Sequence, residues 1–476
     1  MNRWQWLAKL LAIAATVLLL SIALLRIDFL VAERQQSQRE AIASVQQSQA
    51  GAQTVLGPVL NRFCVESWEV SSGEGKDRRT ELKRVEHTMR ATPSQLRVDA
   101  STATDLRYRG LFKVNGYVAK LNVMVSWSSL GALQPKREKA GSTMACEPAT
   151  MWLAASDVRG LRGAQASVDG QTLPVQPGTL HEAFPQGLHV VLLPKTFDAI
   201  GNVPDQPLTA QLEVDLLGTQ QLALVPAADS TTWQLKADWP HPSFGGRFLP
   251  NRRDVREQGF DAQWMLNALA TSAPRDVASN VGSVCRPHEF VDPGSRHQPA
   301  SARARCLDTL SVDFIDPINP YSLSDRAIKY GLLFVLLTFT AVALAETLAR
   351  DRVKRVHPVQ YALVGTALCL FFLLLLSLSE HLAFGVAYAI AATACVALLG
   401  VYARSMLGRP RDGVVFAGGM ALLYGLLYML LLREQTALVI GSIGLFLALA
   451  AVMLLTRKVD WYRMGAGGAV QAHQQG

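Results

Sequence analysis

The densest group of residues that could do chemistry is Trp239-Pro240-His241-Pro242-Ser243-Phe244-Gly245-Gly246, followed by Phe248-Leu249-Pro250. Two prolines hold a histidine in an extended segment, and the glycines permit a sharp turn after it. Aromatic residues flank the segment, and Trp264 lies a short way on. Trp239, His241, Phe244, Phe248 and Trp264 thus form a candidate surface for a peptide or glycan, with His241 at its edge. The competing reading is a rigid corner packed on a sheet. Catalysis by His241 would need an acid or nucleophile beside it, and the sequence identifies none.

The standard catalytic motifs are absent: there is no Gly-x-Ser-x-Gly elbow, His-Glu-x-x-His helix, phosphate loop or dinucleotide fingerprint. Gly73-Glu74-Gly75-Lys76 lacks the spacing and the following Ser/Thr of a phosphate loop and reads as a polar turn. Charge is costly inside apolar segments, and Glu346 is the residue that meets this condition. Arg350 at i,i+4 would give it an interfacial salt bridge; a proton or ion relay is the functional alternative. Ser379-Glu380-His381 cannot be a hydrolytic triad, because triad side chains converge from separate segments. It reads as a solvated turn in which Glu380 caps a helix. No series of carboxylates or histidines crosses the apolar segments, which argues against a proton-driven transporter.

Four of the six cysteines, Cys64, Cys146, Cys285 and Cys306, lie in the polar middle of the chain. Four cysteines allow three pairings. Cys285–Cys306 would close a loop rich in Arg, Pro and Ser that has little core of its own, and is favoured, with Cys64–Cys146 as the second bridge. Metal binding is the rival, but there is no Cys-x-x-Cys and no histidine at ligand spacing. Neither a metal nor a cofactor is expected. Cys369 and Cys395 lie within apolar runs and read as packing residues.

Two kinds of element must position these groups. Trp4–Leu25 is apolar apart from Gln5 and Lys9, begins with positive charge, and lacks a small-x-small site at its end. It reads as an uncleaved signal anchor. Five further runs approach the length of about 20 residues that crosses a bilayer: Tyr330–Leu348, Gln360–Ser379, Phe384–Ala403, Gly413–Leu432 and Thr436–Thr456. Basic residues occupy alternate loops: Arg350, Arg352, Lys354 and Arg355, then Arg404, Arg409 and Arg411, then Arg457, Lys458 and Arg463. By the positive-inside rule both termini are cytoplasmic, and the long segment after the first span is periplasmic, where disulfides are permitted.

Charge follows the same division. Between Glu33 and Arg326 there are 31 basic and 31 acidic residues of the chain's 46 and 38. The net +8 and pI near 9.2 therefore come from the flanks of apolar segments, and the mean hydropathy of +0.17 averages two solvents. Nucleic-acid binding, which needs basic residues clustered on a soluble face, is excluded as a reading. The bilayer is the expected partner, together with a periplasmic protein or cell-wall component.

Gln35–Gln53 reads as a polar helix continuing the first span. Beyond it Leu121, Val123, Val125 and Trp127 alternate with polar residues, as do Leu208 to Leu216 and Trp233 to Trp239. A period of two marks half-buried strands. The expected fold is a membrane protein with one signal-anchor helix (1–32), a large, mostly β (α+β) periplasmic domain (33–326), a five-helix transmembrane bundle (327–457) and a disordered cytoplasmic tail (458–476). Tyr321, Asp325, Arg326 and Lys329 would couple domain to bundle, with Ser324 or Asp325 as N-cap of the second span.

Several of these stretches, in this order, resemble the CreD family of inner-membrane proteins, often called cell envelope integrity proteins. They include Trp239-Pro240-His241-Pro242-Ser243-Phe244 with Phe248-Leu249-Pro250, Gly259-Phe260 with Gln263-Trp264, and Asp325-Arg326-Ala327 with Lys329-Tyr330. Glu346-Thr347-Leu348, His357-Pro358 with Gln360-Tyr361, and Ser379-Glu380-His381 complete the likeness, which runs to Asp460-Trp461-Tyr462. The external cysteines are not part of the family pattern. The resemblance implies a role in envelope integrity and brings no catalytic residue. The leading expectation is a binding or scaffolding protein; the alternative is a transporter or membrane sensor acting through the bundle, with an envelope enzyme third.

Overall fold

A computed structural model of the chain describes residues 3–72, 79–192, 202–203, 206–284, 306–316, 319–348, 356–407, 410–433 and 436–457. It divides into two compact units, one made of 1–39 with 318–476 and the other of 40–317. The expected turn at Gly73–Lys76 and Cys285 lie outside the described residues.

The 40–317 unit is built from two sheets. The nine-stranded sheet contains β1 (Gln53–Ser72), β2 (Arg79–Ala91), β5 (Thr143–Cys146), β6 (Thr150–Ala155), β9 (Val175–Pro177), β10 (Gly187–Val191), β12 (Gln221–Leu224), β14 (Pro242–Gly246) and β17 (Leu310–Phe314). The eight-stranded sheet contains β3 (Gln95–Arg109), β4 (Phe112–Trp127), β7 (Leu161–Val168), β8 (Gln171–Leu173), β11 (Leu208–Thr219), β13 (Ser230–Ala237), β15 (Arg252–Arg256) and β16 (Gly259–Asn267). Its order is β15-β16-β13-β3-β4-β11-β7-β8.

Alternation in the sequence becomes alternation in burial. On β11, Leu208, Ala210, Leu212 and Val214 are buried while Thr209, Gln211, Glu213 and Asp215 are exposed. The apolar positions of both sheets join one core, in which the Trp233 and Trp264 rings stack at 4.5 Å. Such rings dominate core energetics because each removes a large area from water. A second, smaller core lies around Leu56, Val59 and Trp152. It is covered by Phe184 and by Ala273 and Val277 of α2 (Ala273–Ala278). Cys64 and Cys146 face each other across β1 and β5 and are disulfide-bonded. Cys306 is also disulfide-bonded.

The other unit is helical. α1 (Arg3–Ser48) is one helix of 46 residues, roughly 70 Å at about 1.5 Å per residue, and its last turns belong to the β unit. After the β domain come α3 (Pro320–Lys329), α4 (Gly331–Leu348), α5 (Pro358–Ser379), α6 (Phe384–Leu407), α7 (Pro410–Leu432) and α8 (Ala437–Thr456). Among the described residues α1, α5, α6, α7 and α8 are each long and apolar enough to cross a membrane. The second expected span differs: α3 and α4 qualify only as a pair, bent by 45° at the break. The helix also starts earlier than expected. Asn319 is the N-cap of α3, accepting from the Tyr321 N–H, and Pro320 follows at the first position, so Ser324 and Asp325 lie inside the helix. α5 opens with a capping box between His357 and Gln360. Large apolar side chains of α8, such as Leu438 and Phe446, face outward, as they do when lipid is the solvent.

Candidate functional site

The aromatic cluster is mostly packing. Trp239 and Trp264 are buried, at 6% and 1% exposure. Their indole N–H groups are satisfied internally: Trp239 Nε1 donates to the carbonyls of His241 and Ile315, each at 3.1 Å, and Trp264 Nε1 to that of Phe248 at 3.1 Å. Phe244 meets Phe260 and Trp264 edge-on, at 5.6 and 5.8 Å, and Phe248 packs half-buried against the same core. Gly246, with φ +78°, ends β14 so close to the Thr309 carbonyl that a Cβ would collide with it. Trp239 and Trp264 are therefore corrected from ligand surface to corner of the sandwich; His241 alone of the five is exposed. The tryptophan N–H groups find carbonyls within the corner, which is what lets the rings be buried.

Glu346 and Glu380 of the helical unit each lie in a cluster with residues of α1. Glu346 does not wait for Arg350, which lies outside the described residues. Lys9 Nζ of α1 donates to both its oxygens, at 2.6 and 2.7 Å. Tyr361 OH of α5 lies 3.4 Å from Glu346 Oε2, and Lys9 Nζ sits 5.8 Å from the Tyr361 ring centroid. Glu380 is likewise not solvated: its side chain is 12% exposed, with Arg34 Nε of α1 and Tyr321 OH of α3 each 3.5 Å from Oε1. Asn319 donates to Gln38 at 3.2 Å beside it. Lys9 and Arg34 are separated by roughly 37 Å of helix, slightly more than a hydrocarbon core of about 30 Å. α1 is thus fastened to the other helices at two levels separated by more than the thickness of that core. Asp325 and Lys329 form an exposed i,i+4 pair at 2.7 Å, Arg326 is half-buried, and His381 is exposed.

The β unit holds a buried carboxylate that sequence reasoning passed over. Glu66 accepts from the backbone N–H of Glu138 and Lys139 at 2.9 and 3.1 Å and from Ser142 Oγ at 2.5 Å. His87 Nε2 lies 2.9 Å away. Burial works to raise its pKa, but the backbone N–H groups, the hydroxyl and the imidazole together hold it down to about 2. Serine and histidine both bond to the carboxylate, an arrangement that does not activate the hydroxyl. Elsewhere in the β unit, burial pushes the His181 imidazole down to about 4, with Arg90 adding to the effect, so it is neutral at neutral pH. Among the described residues no group of three His, Cys, Asp or Glu side chains could hold a metal ion.

An open recess of about 750 Å³ lies on the eight-stranded sheet where β3, β13, β16 and β15 meet. Its carboxylates are all engaged. Asp238 accepts from Thr104, Asp254 from Arg256, and Asp261 pairs with Lys236 at 3.7 Å. Arg252 and Arg253 also line it, and among the described residues they make no side-chain hydrogen bond or ion pair. The run Arg252-Arg253-Asp254-Val255-Arg256 is the sequence signal that could have marked this edge.

The chain matches the family described as inner membrane protein CreD over residues 5–462. It is 32% identical over 457 residues to inner membrane protein CreD of Escherichia coli (strain K12), covering 95% of this chain and 93% of that protein. The chain belongs to the CreD family. It is accordingly a multi-pass inner-membrane protein, in contact with the bilayer through its apolar helices. Among solved structures, an M1 zinc metallopeptidase from Deinococcus radiodurans is similar over 37% of this chain and 38% of its own, at 10% identity and a TM-score of 0.20. A likeness that weak carries no argument about fold or activity.

Proposed function

We propose that this CreD-family protein supports cell-envelope integrity as a scaffold. Its β domain lies in the periplasm and binds a periplasmic protein or cell-wall component. The helical bundle anchors it with both chain termini in the cytoplasm, and the chain has no catalytic activity of its own. One observation carries this reading: Glu346 and Glu380, the acids singled out in and between the apolar segments, are both engaged by cations of α1. The β domain, in contrast, presents at an open recess guanidinium groups that make no side-chain hydrogen bond or ion pair among the described residues. A transporter or sensor acting through the bundle would instead need Glu346 to exchange its partner during its cycle.

The test is complementation of a deletion strain, scored as survival in detergent and β-lactam. One version is the full chain. The other stops at Asp325 and carries Lys9→Leu and Arg34→Leu, so that no cation is left in the membrane without its partner. Rescue by the short form, localised to the membrane, is the expected result. Rescue by the full chain alone, with the short form folded and localised, would move the function into the bundle.

A further inference from the structure

The recess on the eight-stranded sheet has the chemistry of a particular ligand class. Lys236, Arg252, Arg253 and Arg256 line it against Asp238, Asp254 and Asp261. Because the three acids are occupied by Thr104, Arg256 and Lys236, the group left over on this face, among the described residues, is the Arg252 guanidinium, which shares the face of Gln263; Arg253, next along the exposed edge strand, alternates to the other side and is likewise without a side-chain partner among them. Guanidinium forks match carboxylates with two parallel hydrogen bonds. Around them stand neutral donors and acceptors: Gln258 and Gln263 carry amides, and Ser101 carries a hydroxyl. Amides and hydroxyls recognise the hydroxyl and acetamido groups of sugars by hydrogen bonding. A volume of about 750 Å³ lies within the range of small-ligand sites, which is about 300–1,000 Å³.

We propose that this recess binds a glycan bearing carboxylates, with Arg252 pairing with an acid group in the recess, Arg253 meeting a second acid group at the open edge of β15, and the glutamines pairing with the sugar. The proposal rests on the reading of the β domain as the binding module and names the ligand class of that module. β15 is an edge strand whose five residues are all exposed, so the ligand has free access from the side. Its charges also keep the edge from pairing with another strand, which explains why an unprotected edge is tolerated there.

The test uses the full chain in lipid nanodiscs and, as probe, soluble disaccharide–peptide fragments released from peptidoglycan by a muramidase. Binding of the fragments is expected. The charge reversal Arg252→Glu with Arg253→Glu should weaken it by about tenfold or more. Blocking the fragment carboxylates as methyl esters should weaken binding comparably. Both arginines are exposed and their side chains make no hydrogen bond or ion pair among the described residues, so the double variant should melt with the parent; Lys120→Glu, on β4 and outside the recess, should bind as the parent does. Undiminished binding by the double variant would overturn the recess and leave the domain's role standing. Equal binding of a plain poly-glutamate would overturn the glycan and leave charge alone. Absence of fragment binding to the parent protein would overturn the ligand class, while rescue by the Asp325-truncated chain would still uphold the scaffold.

Discussion

Glu346, in the helical unit, gives both carboxylate oxygens to one ammonium group, Lys9 Nζ, at 2.6 and 2.7 Å. Glu66, in the β unit, is held by two backbone amides, a hydroxyl and an imidazole. The difference follows from the local supply of donors. Inside helices every backbone N–H beyond the first turn is spent on the helix itself, so a carboxylate there must find a side-chain cation. A loop such as 137–142 has N–H groups to spare, and a buried carboxylate can use them without a full opposing charge. The first solution fastens distant helices together; the second fastens a loop to its own sheet.

Four substitutions put that contrast to the test. The largest effect should come from neither carboxylate but from the core that carries the β unit. Trp264→Ala removes a stacked indole and opens a cavity, and should cost about 3–5 kcal/mol in chemical denaturation. Glu346→Ala leaves Lys9 without its partner and should destabilise the helical unit by on the order of 1–3 kcal/mol. Thermal unfolding in detergent checks this, and Lys9→Glu with Glu346→Lys should recover most of the loss. Glu66→Gln should lower the unfolding midpoint at neutral pH, and its deficit should depend on pH. The folded pKa of about 2 lies below the ordinary value of 4.5. The wild-type advantage is therefore complete above about 4.5 and is lost as pH falls towards about 2. Denaturation across that window should show the two proteins converging; a constant gap would mean that Glu66 acts by shape alone. Asp325→Ala removes an exposed i,i+4 pair and should cost at most about 0.5 kcal/mol.

Much of this was legible in the sequence, for identifiable reasons. A period of two exposed β4, β11 and β13, because one face of each strand had to be apolar. Long apolar runs marked the membrane helices, because lipid demands them along the whole length. The 45° break between α3 and α4 was not legible, although Asn319-Pro320 was a readable start signal. Nor was the partner of Glu346, which lies 337 residues away in sequence while Arg350 stood at helical spacing. The tryptophans of the corner misled for a related reason. An indole near a histidine reads the same whether its N–H points to a ligand or to a carbonyl, and tertiary packing decides.

On the proposed function, the charges of the bundle fasten helices and the β domain binds; the decisive experiment is survival under detergent and β-lactam stress of a deletion strain carrying the full chain with Lys9→Glu and Glu346→Lys together. The swap keeps the pair and moves the carboxylate to the other helix. Survival equal to the parent, with Glu346→Ala alone impaired in step with its lost stability, is the predicted result. Loss of survival in the swapped protein at normal stability and localisation would contradict the account and make Glu346 a working group of the bundle.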